Sequence, residues 1–284
     1  MHANKSTWAG VLLWAVCLWL VGSSISQAQT PLKNSGLGLA PALVDVSTRR
    51  GTTFSQTYTL ENGTATRVRF RCSTGDFWYD SNNQIVLGQS GTLPRSGALW
   101  TQFTPSEIIA EPHTSVVVKA LITVPLEASG GYYLTPIFEA EAATPPGADP
   151  KEPNGKASLA VQMYSLLLLT VADAADYQIA IVGGQATPPT ATAELSLKLN
   201  VVNRGTVHAR VRGVFAILDT NGKVVGRGKT DEKTLLPEQR FNLPSSWAGE
   251  LPPGSYINLV TLTYNRVGQP PATVVYEIPM QVKP

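Results

Sequence analysis

Cysteine is almost absent from this chain: 284 residues hold two, Cys17 and Cys72, and there are only three histidines. Long apolar runs are equally scarce, for only one exists, over residues 8–21. That run falls short of the roughly 20 residues that span a bilayer. With Lys5 before it and Ser26, Gln27 and Ala28 after it, residues 1–28 read as a secretory leader cleaved after Ala28. No integral membrane segment is expected in the mature chain. Val16 stands before Cys17 where a lipidation site has a small residue, so lipidation is not expected either. Loss of the leader strands Cys72 without a partner. An intramolecular disulfide is thereby excluded even in an oxidising compartment, and packing alone must hold the fold.

Charge is sparse and balanced. Only 15% of residues are charged, 22 basic against 20 acidic, which implies neither nucleic acid nor an acidic membrane surface as partner. His113 and His208 are isolated from each other and supply no spaced metal site. No nucleophile-elbow motif occurs, and the pairs Gly130-Gly131 and Gly183-Gly184 precede no helix that would make them phosphate cradles. The expectation is a non-enzyme with no cofactor and no metal.

What the chain does have is turn and strand chemistry, with 24 Gly, 21 Pro and 43% hydrophobic residues. Short runs of Val, Ile, Leu, Thr and aromatics recur between Gly, Pro, Asn and Asp clusters, with no convincing amphipathic helix. This spacing predicts an all-β chain. Strands are expected over residues 39–46, 53–61, 66–73, 85–87, 106–109, 115–124, 131–141 and 158–171, then 178–183, 191–203, 207–218, 223–230, 240–242, 254–264 and 274–282. The small polar segment 172–177 interrupts them. Two tandem immunoglobulin-like sandwiches follow, residues 29–172 and 173–284.

The segments LAPALVDV, LENGTATRVRFR, DFWYD, LWTQFTPSEIIAEPHTSVVVKALITVP and GGYYLTPIFEAE give the first domain a resemblance to the N-terminal domain of periplasmic pilus-assembly chaperones, and to related bacterial secreted proteins with paired Ig-like domains. VVNRGTVHARVRG, LDTNGKVV and LPPGSYINLVTLTY give the second domain a similar likeness to Ig-like modules of such secreted proteins. The resemblance implies a periplasmic or secreted protein that lends an edge strand to β-rich partner subunits. Main-chain hydrogen bonds would supply affinity and alternate side chains specificity. An extracellular structural or adhesion module built of Ig-like spacers is the alternative.

The strand implicated follows the polar stretch 140–156. Leu159, Val161 and Met163 share one face, alternating with Ala160, Gln162 and Tyr164, and beyond Ser165 the alternation gives way to an apolar run. Leu159, Val161, Met163, Leu167 and Leu169 are the expected partner-binding residues. One departure is plain. The family's basic pair, which anchors a subunit carboxylate, is absent: Leu43 stands at the first position, and residues 158–171 contain no Lys or Arg. Phe77, Trp78 and Tyr79 form the densest aromatic cluster and a possible surface site for sugar rings, set against a hairpin turn over residues 80–83 with part of the cluster in the core.

Overall fold

The computed structural model describes residues 36–80, 84–143 and 160–284. The leader, Leu159 and most of the turn after Tyr79 lie outside them. The first half contains β1 (Leu37–Ala40), β2 (Leu43–Thr48), β3 (Thr53–Asn62), β4 (Val68–Tyr79), β5 (Ile85–Gln89), β6 (Thr101–Thr104), β7 (Glu107–Ala110), β8 (Thr114–Thr123), β9 (Gly130–Ala142), β10 (Val161–Tyr164) and β11 (Leu166–Val171). The second half contains β12 (Ile179–Thr187), β13 (Leu195–Asn203), β14 (Ala209–Leu218), β15 (Val224–Lys229), β16 (Lys233–Leu235), β17 (Arg240–Trp247), β18 (Gly254–Arg266) and β19 (Gln269–Val282). Among the described residues no helix is long and apolar enough to cross a membrane.

These strands build two sandwiches. In the first, sheet β1-β3-β8-β6 faces sheet β2-β11-β9-β4-β5, with β10 added to β9 and β7 to β4. Tyr58, Leu60, Phe70, Val118, Ile122, Phe138, Leu167 and Leu169 fill the space between them. In the second, β12-β13-β17 faces β15-β14-β18-β19, around Leu197, Leu199, Val211, Phe215, Val260 and Leu262. Alternation along each strand sends these side chains inward and their neighbours to solvent.

The first expected strand, residues 39–46, is two strands. Pro41 cannot donate a ladder hydrogen bond, and the chain breaks there: β1 pairs with β3 in one sheet, β2 with β11 in the other. The short strands β6 and β16 escaped the sequence reading, and β4 runs on through Phe77 to Tyr79, beyond the expected 66–73.

Each sandwich has a corner built on asparagine. The Asn62 amide donates to the carbonyls of Thr66 and Ala110 while its oxygen accepts from the Thr64 amide and hydroxyl. Asn203 does the same for Val207, Leu235 and Gly205. Both side chains are fully buried, so each corner satisfies backbone groups that water cannot reach.

Candidate partner-binding edge and the cleft between the sandwiches

β10 is held on one side only. It pairs antiparallel with β9, Val161 opposite Ala140 and Tyr164 opposite Ile137. No strand among the described residues lies on its other side. The cause is the break at Pro41. Because β2 runs parallel to β11 with Leu43 opposite Leu166, a straight first strand would carry β1 past β10. β1 crosses to the opposite sheet instead, and no described strand takes the place beside β10. Val161 and Tyr164 are 39% and 38% exposed there, and Leu43 at the mouth is 52% exposed. Met163 turns inward and packs against the core.

The edge closes at Ser165. The Leu166 amide donates to the Ala42 carbonyl, and from there β11 runs between β2 and β9. Leu167 and Leu169, expected on the strand offered to a partner, are therefore interior residues with no exposed surface. A strand paired on both sides and packed in the core has no free edge, which confines the available segment to β10. Leu159 lies outside the described residues.

The outer face beside β10 carries a shallow groove. Leu87, Ile137 and Tyr164 wall it, and Gly75 and Gly88 line its base. A Cβ on Gly75 would stand 2.7 Å from the Gly88 carbonyl oxygen, so the close approach of β4 and β5 requires glycine there. Beyond it lies a charge ladder in which Glu107 and Glu141 flank Arg69 and Arg71.

Toward the second sandwich the same face is buried. Phe77, Tyr133 and Leu168 pack on Leu236, with Trp78 and Tyr79 against them. Phe77 is 1% exposed and meets Tyr133 edge-on at 5.9 Å. It is thus no surface platform: the second sandwich covers it. Trp78 and Tyr79, half-buried, also line a cavity of about 540 Å³ with Arg95 and Arg240.

Beside this apolar contact, Asp45 of β2 accepts from Arg210 at 3.0 Å and lies 3.1 Å from His208 Nε2, so one carboxylate ties two residues of β14 and its approach. Burial opposes the Asp45 charge, but the His208 hydrogen bond and charge, with those of Arg210, outweigh it and hold the carboxyl below its ordinary value. The adjoining cavity, about 440 Å³, also takes in Thr170, Tyr177 and Arg266. Its Arg210 is already paired with Asp45. Arg50 is likewise committed, to Asp173 at 2.8 Å. Among the described residues no group of three or more His, Cys, Asp or Glu could hold a metal. Burial pushes the Cys72 thiol up to about 11, which makes it a poor nucleophile.

The sequence missed Leu43, Asp45 and Tyr164. The signal that could have found the first two was Pro41, whose place inside an alternating run marks a strand that changes neighbours.

Architecturally the chain is an all-β protein of two sandwiches in tandem. Solved structures similar to it include the class 5 fimbriae chaperone CfaA, at 13% identity and TM-score 0.48 over 85% of this chain and 98% of that one. A chaperone–tip adhesin complex of CFA/I fimbriae matches at 13% identity and TM-score 0.46, over 84% and 98%. The Pseudomonas aeruginosa CupB2 chaperone matches at 12% and 0.36, over 84% and 97%. No protein-family model matches the chain, and no curated protein does.

Proposed function

We propose that this protein is a non-enzymatic, chaperone-like binder of β-rich protein subunits, exported to the periplasm or beyond, that offers the free edge of β10. The observation that carries the reading is that, among the described residues, no strand pairs with the second side of β10, while Val161, Tyr164 and Leu43 are exposed beside it. An unpaired edge with apolar side chains at its rim is a template for strand addition, and proteins that do not use such an edge cover or charge it. This edge carries no charge between residues 160 and 165. Four residues supply only a few main-chain hydrogen bonds, each worth about 1 kcal/mol net. Affinity must then come chiefly from apolar side chains of the partner, alternately seated beside Val161 on the inner face and beside Tyr164 and Leu43 on the outer one. An incomplete sandwich with a strand to place fits that chemistry, and the sequence likeness to pilus-assembly chaperones points the same way.

A photocrosslinking residue in place of Tyr164 tests this in the native envelope, with the same residue in place of Val182, 42% exposed in the second sandwich, as control. The expected result is a crosslink from position 164 to an extended segment of a β-rich exported polypeptide, identified by peptide mass spectrometry and lost on Val161→Asp. No crosslink, or one that survives Val161→Asp, would remove strand addition and leave a structural or adhesive module.

A further inference from the structure

On the outer face of sheet β15-β14-β18-β19, among polar residues such as Arg212, Lys229, Thr261 and Thr273, exposed apolar side chains stand where an antiparallel sheet facing water is ordinarily polar. Val214 is 59% exposed, Val275 57% and Ile257 40%. The cross-strand register places Arg227, Ala216, Leu259 and Glu277 in one row, Arg227 on the edge strand β15 and Glu277 on the opposite edge strand β19. Opposite residues point to the same side of a sheet, and the row's inward neighbours Phe215, Val260 and Ile278 are all buried. All four side chains therefore stand on the outer face. The row reads cation, two apolar residues, anion. Neither Arg227 nor Glu277 forms an ion pair with another described residue.

We propose that this face is the contact of a homodimer, with a second copy of the chain as its occupant. A two-fold axis lying in the contact plane, parallel to the strands and between β14 and β18, exchanges the two edges. It sets Arg227 of each copy against Glu277 of the partner, and the apolar centre of each face against the other. An axis across the strands would oppose like charges, so the charge pattern selects one of the two face-to-face arrangements. A lipid surface fits less well, since a membrane-binding face is rimmed by basic residues and one edge here is acidic. At about 4.8 Å between strands and about 3.3 Å per residue, four strands of about eight residues offer on the order of 500 Å² per copy. That lies at the low end of specific interfaces and calls for a reversible dimer of micromolar strength. The proposal is independent of β10, which belongs to the other sandwich.

The test is sedimentation velocity of the exported protein from about 1 to about 100 μM, the span over which a contact of this size dissociates. Wild type should shift from monomer to dimer. Arg227→Glu and Glu277→Arg, both at exposed edge positions, should each weaken dimerisation at least tenfold, because symmetry makes each change twice per dimer. The double variant should return to within about threefold of wild type, since it rebuilds both pairs with reversed sign. Far-ultraviolet circular dichroism checks that each variant is folded. A wild type that stays monomeric throughout, single variants that dimerise like wild type, or a double variant no better than the singles would each overturn the proposal. So would a dimer abolished by Val161→Asp and untouched by these changes, which would place the contact on β10.

Discussion

Substitution of Leu167 and of Val161 by alanine separates the strand that builds the core from the strand that is free. Leu167 has no exposed surface and sits between two paired neighbours, whereas Val161 is 39% exposed on an edge. Leu→Ala at a fully buried site costs the transfer of the lost methyl groups and the cavity left behind, about 3–4 kcal/mol in a site that cannot collapse. Val161→Ala removes two methyl groups already partly in water, and about 0.5 kcal/mol is expected. In urea, with a slope of about 2 kcal/mol per molar for a domain of this size, the midpoint of the first sandwich should fall by about 1.5–2 M for Leu167→Ala. For Val161→Ala it should fall by no more than about 0.3 M. Tryptophan fluorescence at equilibrium follows the transition through Trp78 and Trp100. The two sandwiches can melt separately, so only the transition that moves with Leu167→Ala is assigned to the first. Equal losses for the two variants, or a loss below about 1 kcal/mol at Leu167, would refute the interior placement of β11 and restore residues 166–169 to the free edge.

Asp45→Asn should cost about 1–2 kcal/mol at neutral pH, by weakening two contacts to a carboxylate that is one-third exposed. The carboxyl is held below its ordinary value when folded, so its stabilisation is present above the ordinary carboxylate range and lost as pH falls through the lowered value. Urea titrations at pH 7 and pH 3 should find the difference between wild type and variant shrinking in acid, and a constant or growing difference would count against the contact. Asn62→Ala and Asn203→Ala should each cost about 2–3 kcal/mol through unsatisfied buried backbone groups. Lying in different sandwiches, they should add in the double variant, as read from the two melting transitions. Cys72, with its thiol pushed up to about 11, should be about one part in a thousand thiolate at pH 8 and react with a disulfide reagent far more slowly than an exposed cysteine. Labelling within the mixing time would mean the thiol is not buried.

Much of the architecture was legible because a sandwich is specified locally at its turns. Residues 62–65 and 204–206 fall in the gaps between expected strands, and the structure gives the reason: a buried asparagine at each corner closes the backbone hydrogen bonds of the connection. Strand ends were less legible. β4 absorbs Phe77, Trp78 and Tyr79 because the second sandwich covers that end of the sheet, a tertiary contact with no local signature. β16, only three residues long, is too short to show a period at all.

The candidate site was half legible, and the missing half has one physical cause. Alternation assigns a residue to a face of its sheet, but a free edge is defined by what lies alongside, which is set by strands far away in the chain. Residues 158–171 read as one greasy strand, and by face alone Val161, Leu167 and Leu169 are equivalent. What divides them is the path of β1 and β2, more than a hundred residues earlier: β2 lies along β11 and buries it, and the break at Pro41 withdraws β1 from β10. Among the described residues, a single proline in the first strand thus determines which four residues of the last strand lack a second neighbour. It follows that the length of that edge is set from the first strand rather than the last. Closing the break, so that residues 37–40 ran straight on from β2, would place Ala40 beside Met163 and shut the edge without altering any residue of β10.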